Sequence, residues 1–254
     1  MMSRLFRLFR HPFQSLRKIA QKCKTLRTNI VWQICVPVSL ASQNSIHVDL
    51  GSGSTPRNPL GAKKIIGTDF HSAFLSPEGV EFVQVDLTGK LPFLDDSIDS
   101  MSAYDVLEHI PRWERSNGNI QFPFIHLMNE IHRSLKPGGI FLAVTPAFPS
   151  PAAFQDPTHV NFISTMTVQY FSGSSPMAAN LKYGFEGNFK LICQTWIRNW
   201  AVADRPTLSI DFNSKSKSQK IRFLLSLSNV RKLFKLIFAP KPSHLLWVLE
   251  KPAQ

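Results

Sequence analysis

The stretch Ile46-His47-Val48-Asp49-Leu50-Gly51-Ser52-Gly53-Ser54 is a short apolar run that ends in a glycine turn. Two further apolar runs follow, and each also closes on a carboxylate: the run 65–68 ends at Asp69, and the run 80–85 ends at Asp86. Short runs of this kind are typical of parallel strands. Because the carboxyl ends of parallel strands form the ligand crevice of an open α/β sheet, we expect the three carboxylates to border one site.

Hydrophobic patterning along the rest of the chain predicts one clear helix and four further strands. Residues 123–135 form the helix, because apolar side chains recur there at helical spacing and Lys136-Pro137-Gly138-Gly139 then supplies a stop. Residues 107–110 are expected to open another helix. The further strands are predicted at 98–103, 140–145, 189–200 and 244–250.

The residues after the glycine turn bear on which ligand the crevice holds. Thr55-Pro56-Arg57-Asn58-Pro59 contains two prolines, so the first crossover helix is expected to be cut to a turn or two. A dinucleotide site needs a third glycine that opens a helix facing the pyrophosphate, and here Ser54-Thr55-Pro56 follows instead. A ligand with an adenosine but no pyrophosphate, such as S-adenosylmethionine, would not need that helix.

Length and composition are those of a folded globular protein. The 254 residues, 43% apolar and 11% aromatic, suffice for one domain with appendages. No apolar stretch reaches the roughly 20 residues that a membrane-spanning helix needs. The cysteines Cys23, Cys35 and Cys193 lack the spacing of a metal site, so no metal is predicted and the thiols are expected to be reduced.

The net charge of +12 is concentrated in two flanks. Residues 1–48 hold eight basic residues and no acid, and residues 205–241 hold nine basic residues against Asp211 alone. Residues 49–204 hold eleven basic and fifteen acidic residues, so the middle of the chain is mildly acidic. This distribution argues against a basic active-site cleft and for flanks that contact an anionic surface.

We divide the chain into a basic amphipathic N-terminal extension, residues 1–44, and a domain, residues 45–254, with a basic insertion at about 205–241. In the extension, apolar positions step by three and four along one face of a helix predicted from 12 to 32. Three interpretations are open: a helix in the plane of an anionic membrane surface, a helix packed on the edge of the domain, and a cleaved organelle transit peptide.

Six motifs, taken in order, resemble one enzyme family. They are Val48-Asp49-Leu50-Gly51-Ser52-Gly53, Gly67-Thr68-Asp69, Asp86-Leu87, Leu91-Pro92-Phe93-Leu94-Asp95-Asp96-Ser97-Ile98-Asp99, Asp105-Val106-Leu107-Glu108-His109-Ile110, and Leu135-Lys136-Pro137-Gly138-Gly139. Over about residues 45–165 they resemble the class I S-adenosylmethionine-dependent methyltransferases, most closely the type 11 branch. The resemblance implies an α/β, Rossmann-like fold: a seven-stranded, mostly parallel sheet with the last strand inserted antiparallel and helices on both faces.

The resemblance also implies the cofactor, S-adenosylmethionine, and the residues that bind it, which follow the ends of the first four strands. They are Asp49, Gly51, Ser52, Gly53, Asp69, Phe70, Asp86, Leu87, Ala103 and Tyr104. The glycine turn would border the methionine part, the acid after the second strand the ribose, the acid after the third strand the adenine edge, and the last two residues the sulfur. The chain departs from the family pattern at Ser54, where a glycine is absent.

Methyl transfer from a sulfonium mainly requires alignment of the reactants and exclusion of water. A weakly acidic hydroxyl acceptor also needs a proton acceptor within hydrogen-bonding reach. His159 is the candidate, because it follows the fifth strand on the crevice side and imidazole titrates in a suitable range. The alternative is a loop histidine that only caps or packs. His109 is expected to orient backbone, and Glu108 to cap a helix or reach the amino end of the cofactor.

Three function classes are open. The leading one is O-methylation of a glycan or other small acceptor by a cytoplasmic protein held at the inner membrane face through residues 1–40 and 215–241. The glycan part rests on the loop 155–160 and on Pro56-Arg57-Asn58-Pro59, which are similar to segments of a subgroup associated with bacterial surface-polysaccharide clusters. The second is an RNA methyltransferase whose basic flanks contact phosphates. The third is a binding protein that keeps the fold without catalysis.

Overall fold

The computed structural model describes residues 44–71, 79–116, 118–197 and 242–253. They contain a seven-stranded sheet and a two-stranded hairpin. The strands are β1 (Ile46–Leu50), β2 (Lys64–Asp69), β3 (Glu81–Gln84), β4 (Ile98–Tyr104), β5 (Glu114–Ser116), β6 (Asn119–Gln121), β7 (Leu135–Pro146), β8 (Lys190–Ile197) and β9 (His244–Glu250). The predicted extension at 1–44 and the predicted insertion at 205–241 lie, apart from Asn44, outside the described residues.

The large sheet has the strand order β3-β2-β1-β4-β7-β9-β8. The first five strands in this order are parallel to their neighbours, and β9 is antiparallel to both β7 and β8. Six strands therefore run one way and one runs the other, which confirms the predicted α/β, mostly parallel, seven-stranded sheet. The order reverses between β1 and β4, so the crevice of this sheet lies beyond the carboxyl ends of those two strands.

The helix α1 (Pro123–Ser134) precedes β7 and packs on the sheet. Proline occupies its first turn, where the missing N–H costs nothing. The predicted apolar stripe is confirmed, since Phe124, Leu127, Met128 and Ile131 are at most 5% exposed. The helix ends one residue earlier than predicted because Leu135 already pairs with Ile98 of β4.

The core lies on both faces of the sheet. Side chains alternate along β7, so that Phe141 and Ala143 join the larger apolar cluster while Leu142 and Val144 join the smaller one. Strand β9 alternates in the same way, and Trp247 is its largest fully buried side chain. This two-sided burial explains why the run 140–144 is apolar without interruption.

The prediction that residues 107–110 open a helix is wrong. Residues Leu107–His109 form a single 3-10 turn, and the short hairpin β5–β6 comes next before α1 begins. Pro111 follows Ile110 directly, and a residue before proline is pushed from helical to extended backbone. Ile110 is accordingly extended, with φ −81° and ψ 122°.

Two other expectations about local structure differ from what is observed. Between β1 and β2 the crossover was predicted to keep a turn or two of helix, but residues 51–63 contain no helix at all. The expectation that all cysteines are reduced is wrong for Cys193, which is disulfide-bonded. Within the described residues, no helix combines the length and apolar character needed to cross a membrane.

Candidate functional site

The glycine turn stands at the carboxyl end of β1 in a conformation that favours glycine. Gly51 has φ +62° and Gly53 has φ +56°. A Cβ on Gly51 would lie 2.5 Å from Cγ2 of Val106, whereas a Cβ on Gly53 would meet nothing within 4 Å. The turn is therefore closed against the end of β4 at its first glycine and open at its second, which leaves room for a ligand beside Gly53.

The turn packs tightly over β2. The backbone N–H of Ser52 donates to the carbonyl of Thr68 at 2.8 Å. A Cβ on Gly67 would lie 2.5 Å from Cγ of Pro56 and 2.9 Å from Oγ of Ser52. Gly67, in the middle of β2, thus lets the proline-containing segment approach the sheet closely. The prolines that prevent a crossover helix therefore hold the glycine turn against β2.

Asp49 holds the turn from beneath. Its carboxylate is fully buried and accepts hydrogen bonds from the Ser102 hydroxyl at 2.5 Å and from the Arg57 backbone N–H at 2.8 Å. Burial raises the pKa of this carboxyl to about 6, against the lowering effect of its hydrogen bonds. In this structure Asp49 positions the residues after the turn.

A buried chain of hydrogen bonds extends from Asp49 into the sheet. Since the Ser102 hydroxyl donates to Asp49, it accepts from Nε2 of His47, 2.9 Å away. The other ring nitrogen, Nδ1, then accepts from the Ser100 hydroxyl at 2.7 Å. Burial lowers the pKa of His47 to about 3, so the ring is neutral at physiological pH. Sequence reasoning missed this network, although its polar residues recur two apart on two of the predicted strands.

The acid predicted to bind ribose, Asp69, meets the glycine turn. Its Oδ2 accepts from the backbone N–H of Gly53 at 3.1 Å, and its Oδ1 accepts from the backbone N–H of His71 at 3.0 Å. The Asp69 side chain is 17% exposed, so it faces solvent at the crevice. Phe70, next along the chain, is 64% exposed. The structure therefore brings together the residues that were predicted to bind the methionine part and the ribose of the cofactor.

The remaining predicted cofactor residues lie on both sides of this centre. Asp86 is exposed, and its Oδ1 accepts from the backbone N–H and the hydroxyl of Thr88. Leu87 packs partly buried against the larger core. Ala103 is fully buried beside β1, and the Tyr104 ring carries the Arg57 guanidinium 4.4 Å above its centroid.

A second cluster of polar side chains lies where β4 and β7 end. Glu108 is 1% exposed, and its Oε2 accepts from the Thr145 hydroxyl at 3.0 Å. Its Oε1 is buried with no hydrogen-bond partner. Burial raises the pKa of this carboxyl to about 8. The backbone carbonyl of Glu108 accepts from the N–H groups of Val160 and Asn161, both at 2.9 Å, which docks the loop after β7 onto the 3-10 turn.

That loop brings His159 to Glu108. The imidazole side chain is 7% exposed, and its Nε2 lies 4.0 Å from Oε1 of Glu108. Its Nδ1 donates to the carbonyl of Ala153 at 3.1 Å, which leaves the lone pair on Nε2. The His109 ring lies edge-on, with 4.9 Å between the two ring centroids. The predicted proton acceptor is thus held in a fixed orientation beside a buried carboxyl.

Three phenylalanines form an aromatic rim on the same loop region. Phe148, Phe154 and Phe162 are 56%, 53% and 40% exposed. The rings of Phe154 and Phe162 are stacked at 4.8 Å between centroids, and Phe148 meets Phe154 edge-on at 6.4 Å. Neighbouring backbone ties this rim to the histidine cluster, because Phe154 directly follows Ala153, the acceptor of the His159 hydrogen bond.

Comparison with known proteins finds that part of the chain is similar to methyltransferases. The profile of a family described as "Methyltransferase domain" matches residues 48–143. A protein of Mycolicibacterium smegmatis described as a probable S-adenosylmethionine-dependent methyltransferase is 32% identical over 89 residues, which are 34% of this chain and 30% of that protein. The match therefore spans about a third of the length of that relative.

Solved structures of methyltransferases are also similar to this chain. One is an S-adenosylmethionine-dependent methyltransferase from Archaeoglobus fulgidus, with a TM-score of 0.49, 16% identity, and coverage of 90% of this chain and 94% of the other. Another is an S-adenosylmethionine-dependent methyltransferase from Mesorhizobium loti, with a TM-score of 0.43, 14% identity, and coverage of 83% and 94%.

Proposed function

Because residues 48–143 belong to the class I S-adenosylmethionine-dependent methyltransferases, we propose that this chain transfers a methyl group to a hydroxyl of a glycan or another small acceptor. The family and its cofactor, both predicted from the sequence, are confirmed by the domain match and by the relative's description. The activity of the whole chain and the identity of the acceptor are our proposals.

The observation that carries the cofactor assignment is the hydrogen bond between the Gly53 backbone N–H and the Asp69 carboxylate. It joins the ends of β1 and β2 at the crevice, with open space above Gly53 where a side chain would otherwise stand. Asp69 keeps acceptor capacity for hydroxyl donors, since each carboxylate oxygen has two lone pairs. S-adenosylmethionine would supply a methyl group on a positively charged sulfur, the group that is transferred.

The residues after β4 and β7 are suited to the acceptor side of the reaction. Methyl transfer to a hydroxyl forms a C–O bond as the C–S bond breaks, and the hydroxyl proton must leave. Glu108 and His159 stand at the ends of the strands that border the crevice, and Nε2 of His159 carries a lone pair. The role of His159 as the proton acceptor stays a prediction.

The aromatic rim favours a sugar among the acceptors. The C–H face of a pyranose packs well on an aromatic ring, and small-molecule sites combine such apolar walls with few polar groups. Phe148, Phe154 and Phe162 offer such a wall on the loop that carries His159. The basic flanks at 1–40 and 215–241 support an anionic membrane face as the place where such acceptors are met.

Replacement of Asp69 by alanine is expected to weaken S-adenosylmethionine binding by about 10- to 100-fold. The change removes acceptors for ribose hydroxyls and frees the Gly53 N–H, and a charge-assisted hydrogen bond contributes roughly 1.5–3 kcal/mol. Isothermal titration with the cofactor measures this. Glu81→Ala is the matched control, since Glu81 forms only a surface ion pair with Lys64 at the start of β3. Failure of the intact protein to bind the cofactor would refute the proposed function.

Replacement of Phe154 by alanine is expected to raise the KM for a glycan acceptor several-fold while the Kd for S-adenosylmethionine stays unchanged. The reason is that the ring would contact only the acceptor side. The measurement follows transfer of a labelled methyl group to a panel of lipid-linked and free oligosaccharides, with total RNA as the comparison. Label in RNA and none in saccharides would overturn the glycan proposal and favour an RNA acceptor.

A further inference from the structure

We propose that Glu108, His109 and His159 bind a divalent transition-metal ion. One ligand atom from each of the three residues lies within 4.8 Å of the other two. Ligand atoms bound to one first-row ion at roughly 2.0–2.2 Å are at most about 4.4 Å apart, so the three side chains would close slightly around the ion. Two imidazoles and one carboxylate favour ions such as Zn²⁺, Mn²⁺ or Fe²⁺ over Mg²⁺ and Ca²⁺, which prefer oxygen ligands.

The carboxylate supplies an observation that is independent of this clustering. Oε1 of Glu108 is buried without a hydrogen-bond partner, in a residue that is 1% exposed. It lies 4.0 Å from Nε2 of His159, which is too long for a hydrogen bond and short enough for two ligands of one ion. A buried polar atom without a partner is costly unless something outside the chain satisfies it. A bound cation would do so and would stabilise the ionised form of this buried carboxyl.

The other polar atoms of Glu108 and His159 are already occupied by the protein. Thr145 donates its hydroxyl to Oε2 of Glu108, so only Oε1 remains for a ligand. The Ala153 carbonyl accepts the proton on Nδ1 of His159, so Nε2 presents its lone pair. Supporting hydrogen bonds of this kind orient metal ligands and fix the tautomer of the ring.

His109 is oriented in the same way. The Thr158 hydroxyl donates to Oδ1 of Asp156 at 2.7 Å, so its oxygen is the acceptor in the 3.0 Å contact with Nδ1 of His109. Nδ1 therefore carries the proton, and Nε2 carries the lone pair. All three residues thus have one ligand atom free and the other held by a neighbour.

A bound ion would change the role of His159. The three protein ligands leave coordination positions open, and an acceptor hydroxyl bound there would have a lowered pKa. The hydroxyl oxygen would then bond to the methyl carbon as the C–S bond breaks, with its proton passing to water. In that case His159 is a metal ligand and not the proton acceptor. This role in transfer rests on the proposed function, whereas the ion site itself does not.

The test is titration of the full-length, tag-free protein, freed of metal with a chelator, with Zn²⁺, Mn²⁺ and Mg²⁺. We expect one saturable site per chain that prefers Zn²⁺ and Mn²⁺ over Mg²⁺. His109→Ala and His159→Ala should weaken binding at least about 10-fold. His126→Ala is the control, since this exposed histidine of α1 lies outside the cluster. Bound Co²⁺ should show visible absorption bands that the two ligand variants lose.

The outcomes separate the ion site from the proposed function. Absence of saturable binding to the intact protein, or binding unchanged in both ligand variants, would overturn the site. Circular dichroism establishes whether the variants fold. If His159→Ala does not fold, the test relies on His109→Ala. Metal binding without S-adenosylmethionine binding would refute the proposed function and support the site. Methyl transfer unaffected by chelation would overturn the role of the ion in acceptor activation.

Discussion

Replacement of Gly51 by alanine is expected to lower the free energy of unfolding by about 2–4 kcal/mol, the sum of two costs. The first is the left-handed backbone, with φ +62°, which costs a non-glycine residue about 1–2 kcal/mol. The second is steric, because the new Cβ would lie 2.5 Å from Cγ2 of Val106. Urea unfolding at neutral pH measures the total.

Gly53→Ala is the matched control for this prediction. Gly53 has nearly the same backbone angle, φ +56°, but a Cβ there would meet nothing within 4 Å. It should lose only the conformational share, about 1–2 kcal/mol. In a Val106→Ala background, Gly51→Ala should cost less than in the natural protein, with a coupling of about 1 kcal/mol or more. Equal losses at Gly51 and Gly53 would contradict the proposed contact with Val106.

His47 is expected to make stability depend steeply on pH. Its pKa is lowered from 6.5 to about 3 in the folded protein by burial. Between these values the unfolded chain binds one proton more than the folded chain, so this contribution is complete above pH 6.5 and is lost as pH falls towards 3. The slope in this window is up to about 1.4 kcal/mol per pH unit.

The measurement compares urea unfolding of the natural protein and of His47→Gln at several pH values from about 4 to 8, which span most of this window. Glutamine can replace both hydrogen bonds to Ser100 and Ser102 but does not titrate. Near pH 8 the natural protein should be the more stable, and its advantage should shrink as pH falls below about 6.5. His126→Gln controls for the loss of a histidine elsewhere. A stability difference that is constant across this range would refute a buried, neutral His47.

The titration of Asp49 changes stability with pH in the opposite direction. This residue is present both in the natural protein and in the His47→Gln variant. Its pKa is raised to about 6 by burial, so between the ordinary value of 3.8 and 6 the folded chain binds the extra proton. Its contribution therefore decreases as pH rises through this window. The contributions of His47 and Asp49 to the pH dependence of stability partly cancel in the natural protein. The comparison with His47→Gln is therefore needed to isolate the contribution of His47.

The sheet could be predicted from the sequence because each strand is marked by apolar residues within its own stretch of chain. Apolar runs indicated seven strands, and β9 was placed at the residues where the structure has it, His244–Glu250. The ordered motifs then supplied the topology through the resemblance. The error at 107–110 was also local in origin, since Pro111 carries the signal that ends helical backbone there.

The parts that could not be predicted depend on contacts between distant residues. Glu108 was expected to cap a helix or reach the cofactor, but the Thr145 hydroxyl that holds its Oε2 stands 37 residues later. Asp49 was assigned to the cofactor, and its hydrogen bonds with Ser102, 53 residues away, and with the Arg57 backbone were not predicted. The role of a polar residue in an apolar run cannot be predicted from the run alone. Its hydrogen-bond partner depends on the register of the neighbouring strand.

The antiparallel strand β9 has one more consequence. Ile197, the last residue of β8, pairs with His244, the first residue of β9, and His244 pairs with Pro146 at the end of β7. The chain therefore leaves the sheet after β8 and returns to it at the crevice rim, at points one strand spacing, about 4.8 Å, apart. Ile197 before the undescribed residues 198–241 and His244 after them therefore both lie at this rim. Asp105, the residue that follows β4, also lies there, with its carboxylate 3.1 Å from Nε2 of His244.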